Sequence, residues 1–197
     1  RTIPKAVGSL ASGDIAYICE GVNQTSVTDV DAAVNLSSSG TASNPKALVV
    51  YPGATSNVGN LNIQRAFHPW NTGTGGYSEH WVLSKFTITT QMVGVFANTG
   101  FRVVGNRLTG PNTNGGMDGT IYAFGSDVYL LGNELHNIGT AQSGDSKLMH
   151  VIYVTGVRQT GGPRQPTEVN RDIAWNYVHD NFINRGIDIY SEESSSA

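Results

Sequence analysis

The stretch Val128-Tyr129-Leu130-Leu131-Gly132-Asn133-Glu134-Leu135 decides the fold, because the chain contains copies of it. It is a short apolar run, then Asn, one variable residue, and Leu. Arg102-Val103-Val104-Gly105-Asn106-Arg107-Leu108 and Asp172-Ile173-Ala174-Trp175-Asn176-Tyr177-Val178 repeat the pattern, and Trp81-Val82-Leu83-Ser84-Lys85-Phe86-Thr87-Ile88 is a weaker copy with Phe86 in the Asn place. Recurrent units of this size, each too small to bury its own apolar face, read as a solenoid in which every unit stacks on the last.

A second set of short apolar runs lies ahead of the Asn segments: Gly94-Val95-Phe96-Ala97, Thr120-Ile121-Tyr122-Ala123, Val151-Ile152-Tyr153-Val154 and Gly186-Ile187-Asp188-Ile189. The two sets keep step, with 11 positions from Val95 to Asn106 and 12 from Ile121 to Asn133. From Ile152 to Asn176 the gap is 24, which locates an insertion at Gly156 to Asn170, rich in Gly and Pro and read as a loop. Coil stacking puts equivalent positions into columns of like residues, and alternation along each strand sends neighbours to opposite faces. Val95/Ala97, Ile121/Ala123, Ile152/Val154 and Ile187/Ile189 are therefore expected in the lumen, with Phe96, Tyr122, Tyr153 and Asp188 outward in one column beside Phe124 and Tyr190. Asn both donates and accepts through its amide, so Asn106, Asn133 and Asn176 are expected to form an internal ladder at a turn. The fold class is all-β: a right-handed parallel β-helix forming a single domain over residues 1–197, with a short N-terminal capping helix around Ala6 to Ala11.

Composition agrees. The 24 glycines among 197 residues suit a turn-dense chain, and the formal net charge of −3 with 14% charged residues offers no basic surface for nucleic acid. No apolar run is long enough to span a bilayer. Cys19 is the one cysteine, too few for an internal disulfide, and it reads as a buried thiol.

Ser9 to Glu192 resembles the right-handed parallel β-helix repeat proteins, the superfamily that includes pectate-lyase-like and other polysaccharide-degrading enzymes. The residues that carry the resemblance are Gly13-Asp14-Ile15-Ala16-Tyr17, Ser39-Gly40-Thr41 through Asn44-Pro45 to Tyr51-Pro52-Gly53, His150-Val151-Ile152-Tyr153-Val154 and Trp175-Asn176-Tyr177-Val178-His179-Asp180-Asn181. The resemblance implies a secreted or cell-envelope protein with polysaccharide as its partner. It does not choose an activity. The Arg-x-Pro-x-x-Arg pattern of pectate lyases is approached at Arg164-Gln165-Pro166 but lacks the second Arg in register, and the Asp-Asp pair of polygalacturonases is missing.

Site candidates follow from the outward column. A polysaccharide lyase must neutralise a uronate carboxylate, take the proton alpha to it and assist the leaving oxygen, which suits Arg, Lys, His and Tyr. His150, Tyr153, Arg185 and Asp188 are the catalytic candidates. Phe96, Tyr122, Arg158, Arg164 and Tyr190 are the substrate-binding ones, the aromatics offering an exposed column on which sugar rings could stack. A glycoside hydrolase needs two carboxylates facing one bond, for which Asp188 with Glu192 or Glu193 would serve. A non-catalytic surface or glycan-binding solenoid is the alternative. His179-Asp180 beside Asn181 reads as a turn that hydrogen-bonds backbone. His68, Glu79 and His80 lack zinc-motif spacing, so no metal site is assigned; Ca2+ is the cation whose oxygen ligands such loops could supply, with no ligand set identifiable.

After Ile187-Asp188-Ile189-Tyr190, a strand of the first type, no Asn segment or cap follows. The expectation is that the chain is the N-terminal part of a longer β-helix, or that another chain covers the open end.

Overall fold

The computed structural model describes residues 2–28, 31–71, 75–110, 119–139, 150–155, 170–182 and 185–190. The fold is a right-handed parallel β-helix with three parallel sheets. The first sheet stacks Ile15–Ile18, Lys46–Val50, Trp81–Ser84, Arg102–Val104, Val128–Leu131 and Arg171–Ala174. The second stacks Asn57–Val58, Thr87–Thr89, Arg107–Gly110, Glu134–Ile138 and Tyr177–His179, and Gln24 adds a single bridge to Val58. The third stacks Ala32–Asn35, Arg65–His68, Val93–Ala97, Gly119–Ala123, His150–Thr155 and Arg185–Tyr190. Each coil visits the sheets in that order, so the pairing between coils is parallel throughout these sheets.

The lumen is the core. Leu48, Leu83, Val103 and Leu130 from the first sheet, Val58, Ile88, Leu108 and Leu135 from the second, and Val34, Phe67, Val95, Ile121 and Ile152 from the third are all fully buried in one cluster. Burying each of these side chains contributes roughly 2 kcal/mol of transfer free energy. The expected registers hold: Val95 pairs Ile121, Ile121 pairs Ile152, and Ile152 pairs Ile187. Ile187 and Ile189 are exposed even so, since no described strand packs beyond them.

The asparagine ladder forms at the turn between the first and second sheets. The Asn106 backbone N–H and Nδ2 donate to Asn133 Oδ1 at 3.0 and 3.1 Å, and Asn133 makes the same two bonds to Asn176 Oδ1 at 3.0 and 2.9 Å. Each amide also reaches back to a carbonyl of the preceding coil, Leu83, Val103 and Leu130 in turn. Phe86 occupies the same column, and its N–H donates to Asn106 Oδ1 at 2.9 Å. Neighbouring coils also touch where glycine leaves room. A Cβ on Gly110 would collide with the Thr90 carbonyl, and one on Gly125 with the Thr99 backbone nitrogen.

Two local readings are corrected. The N-terminal helix spans Ile3–Ser9 instead of starting near Ala6, because Thr2 caps it and Pro4 suits its first turn; Ile3 and Val7, one turn apart, are buried in the core. Cys19 is exposed. The buried place at the end of that strand belongs to Ile18, and the next residue turns outward. Among the described residues no helix is long and apolar enough to cross a membrane. Residues 156–169 of the expected loop, with Arg158 and Arg164, lie outside the described residues, as do Glu192 and Glu193.

Candidate functional site

Four predicted residues meet on the outside of the third sheet, at the last two described strands. The sequence there departs from strict alternation: Val151 and Ile152 both enter the core cluster, which frees His150 and Tyr153, three positions apart, to lie together. Their rings stack with centroids 4.5 Å apart and planes within 16°. The next strand repeats the spacing with Arg185 and Asp188, paired in register with His150 and Tyr153. Arg185 Nη1 donates to Asp188 Oδ2 at 2.6 Å, and His150 Nε2 stands 2.9 Å from the same oxygen.

One carboxylate therefore serves two cationic or potentially cationic groups. Arg185 is exposed and Asp188 partly so, while His150 keeps only 3% of its surface. Such an arrangement sets an imidazole beside a carboxylate and presents a guanidinium to solvent, the parts needed for proton transfer beside a neutralised anion. Tyr190, exposed, lies 6.4 Å from Tyr153 between ring centroids.

The rest of the outward column is in register as expected, with Phe96, Tyr122 and Tyr153 on successive strands. Its exposure is not as expected: the three side chains are 5%, 3% and 5% exposed. A short antiparallel hairpin, Trp70–Asn71 with Gly76–Tyr77, follows the strand ending at His68 and packs against part of this column. Tyr77 meets Phe124 edge-on at 4.9 Å and joins the cluster of Val93, Phe96, Tyr122, Phe124 and Tyr153. His68 packs edge-on against Phe96 at 5.3 Å. The aromatic column is thus a second, smaller apolar core, which the hairpin borders at Phe124, and not an open stacking surface. In the sequence, the aromatics that bracket this Gly-rich stretch, Trp70 and Tyr77, are the available signal of a hairpin that packs down.

A second ionisable cluster occupies the outside of the second sheet, where sequence reading expected only backbone hydrogen bonds from His179 and Asp180. His179 Nδ1 lies 2.8 Å from Asp180 Oδ2 and Nε2 lies 3.3 Å from Glu134 Oε1, while Arg107 Nε lies 3.2 Å from Glu134 Oε2. The coil-to-coil pairing of Glu134 with Tyr177 and of His136 with His179 creates this meeting, a long-range consequence that local turn chemistry does not contain. Asn181 does bond backbone, accepting from the Ile138 N–H at 2.8 Å.

The electrostatics follow from these contacts. The Asp180 hydrogen bond raises the His179 pKa above the ordinary imidazole value; desolvation opposes it, and Glu134 adds to it. Desolvation would raise the Glu134 carboxyl, but the His179 hydrogen bond and the positive charge of Arg107 hold it below the ordinary carboxylate value. His136 is lowered, by desolvation first and by Arg107 second.

Among the described residues no group of three or more His, Cys, Asp or Glu is arranged to hold a metal ion. Comparison with protein-family models, with curated proteins and with solved structures finds no match to this chain.

Proposed function

We propose that the chain is a secreted or cell-envelope, pectate-lyase-like β-helix that acts on an acidic polysaccharide, with the His150–Asp188–Arg185 cluster as its site. The convergence on two adjacent strands supports the reading: His150 and Arg185 both stand within 2.9 Å of one Asp188 oxygen, and Tyr153 stacks on His150. The described cluster holds Arg, His and Tyr around one carboxylate. That set fits β-elimination from a uronate better than hydrolysis, which needs two facing carboxylates.

In this reading the exposed Arg185 meets the uronate carboxylate and lowers the cost of charge build-up at the alpha carbon. Asp188 holds His150 in the orientation for proton transfer, and Tyr190 is placed to assist the leaving oxygen. The burial of His150 and of the aromatic column favours a second reading, a non-catalytic solenoid that holds glycan or a partner.

Incubation of the whole chain with polygalacturonate, alginate, hyaluronan and chondroitin sulfate, following unsaturated product by absorbance and chain cleavage by reducing ends, decides between them. The lyase reading expects product from one of these, reduced about 100-fold or more in Arg185→Ala and Asp188→Asn. A folded chain that yields neither unsaturated product nor new reducing ends from the whole panel belongs to the second reading.

A further inference from the structure

A small polar cavity opens on the outside of the first sheet, at the leading ends of its third, fourth and fifth strands. It has a volume of about 170 Å3, and His80, Gly100, Arg102, Asp127 and Tyr129 are among the residues that line it. Coil stacking builds it. Val82, Arg102 and Tyr129 are register partners on adjacent strands, which sets the Arg102 guanidinium over the Tyr129 ring at 5.7 Å. Two places ahead of them stand His80, Gly100 and Asp127, all with left-handed backbones, φ of 58°, 71° and 54°. Backbone bonds hold this turn from coil to coil: the His80 N–H donates to the Thr99 carbonyl and the Gly100 N–H to the Ser126 carbonyl, both at 2.8 Å. The middle position requires glycine, since a Cβ on Gly100 would collide with His80 Nδ1. The bare backbone there lets the imidazole lie across the column and wall the cavity.

The charges mark the cavity as a site. Arg102 and Asp127 line it together, yet no ion pair joins them, and neither forms one with any other described residue. Asp127 Oδ1 accepts from the neutral Asn170 amide at 3.0 Å, and the Arg102 side chain rests on the Tyr129 ring. By contrast, Arg65 pairs with Asp31 and Arg107 with Glu134. A cation and an anion held apart across one cavity match a ligand that carries both charges; a simple anion would meet repulsion from Asp127, and a simple cation from Arg102. The volume sets the size: about 170 Å3 is the room of about six waters at about 30 Å3 each, and so of a molecule of about six heavy atoms.

We propose that this cavity binds a small zwitterion of the α-amino acid class, the size of alanine or serine. Its carboxylate takes the Arg102 guanidinium, whose planar fork suits two oxygens, and its ammonium takes the Asp127 carboxylate. Tyr129 and Asn170 hold those two side chains in place. The site lies on the first sheet, away from the third-sheet cluster of His150, Asp188 and Arg185, and stands or falls separately from the lyase reading.

Titration of the whole chain by saturation-transfer-difference NMR tests it, with L-alanine and L-serine as probes. Propionate and L-alaninamide, which each lack one of the two charges, and inorganic phosphate are the controls. Saturable binding of an amino acid is expected, at least about tenfold tighter than that of either single-charge analogue, because each analogue leaves one charge of the cavity facing no partner. Arg102→Gln and Asp127→Asn should each weaken L-alanine about tenfold or more, Asp127→Asn should also abolish the preference for L-alanine over propionate, and Asp188→Asn should change nothing. Arg102 is exposed and asparagine tolerates the left-handed backbone of Asp127, so both variants keep the wild-type circular dichroism and unfolding midpoint. Failure of both amino acids to bind overturns the proposal, as does binding that neither substitution weakens. Propionate or phosphate binding as tightly as L-alanine makes this an anion site, and L-alaninamide doing so makes it a cation site; either result overturns the zwitterion assignment.

Discussion

Replacing Asn133 by Leu removes the middle rung of the ladder while nearly conserving volume. The Asn133 amide takes part in four hydrogen bonds: Oδ1 accepts from the Asn106 N–H and Nδ2, and Nδ2 donates to the Val103 carbonyl and to Asn176 Oδ1. At about 1 kcal/mol net each, their loss costs about 4 kcal/mol. The leucine returns about 1–2 kcal/mol through burial in a site with 0% exposure. The Asn106 N–H, however, is left without this acceptor inside the fold, which costs about 1–3 kcal/mol more. The balance is a destabilisation of roughly 3–6 kcal/mol, large against the whole stability of a domain. Asn176→Leu should cost less, about 1–2 kcal/mol, because that side chain makes three such bonds and is partly exposed. Urea unfolding followed by far-ultraviolet circular dichroism reads both values. A loss below about 1 kcal/mol for Asn133→Leu, or a larger loss for Asn176→Leu, would refute the assignment of stability to the ladder.

Trp175→Gly should stabilise the fold by about 1 kcal/mol by relieving a left-handed tryptophan, seen as a raised urea midpoint; a lowered midpoint would mean that the exposed ring contributes packing. Gly125→Ala should cost roughly 1–3 kcal/mol, because its Cβ meets the Thr99 backbone of the neighbouring coil and not a movable side chain. For His179, the raised pKa means stability that is whole below the ordinary value of 6.5 and lost as pH rises through the folded value. For Glu134, the lowered pKa means stability that is whole above 4.5 and lost as pH falls through the folded value, so both contributions are complete between pH 4.5 and 6.5. Imidazole titration by NMR should show Asp180→Asn lowering the His179 pKa more than Glu134→Gln does; the reverse order would displace Asp180 as the main cause.

The sequence carried the fold because stacking makes periodicity visible. The matched runs around Asn106, Asn133 and Asn176 named a turn, and their spacing from Val95, Ile121 and Ile152 fixed which strands share a sheet. Even the irregular copy was legible, since Phe86 falls in the asparagine column. Exposure was not legible in the same way. Alternation says that Phe96, Tyr122 and Tyr153 leave the lumen, but whether they meet solvent depends on what packs against their cluster, Tyr77 from an earlier coil included. The meeting of Glu134 with His179 likewise crosses 45 positions of chain, and only the coil register joins them. For Cys19 the sequence prior was composition alone, and the local strand phase overrode it.

Ladders also explain where chemistry is to be sought in this fold. Stacking favours likeness down each column, because identical neighbours share hydrogen bonds and ring contacts: Asn over Asn at the turn, Tyr122 stacked on Tyr153 at 5.4 Å on the third sheet. A position that breaks its column gives up that sharing. Asp188 breaks the aromatic column of Phe96, Tyr122 and Tyr153, and Trp175 breaks a column holding Gly105 and Gly132. Asp188 recovers stability through Arg185 and His150. Trp175 keeps a left-handed backbone with φ of 57°, so Trp175→Gly is the substitution that reads the cost of leaving a glycine column.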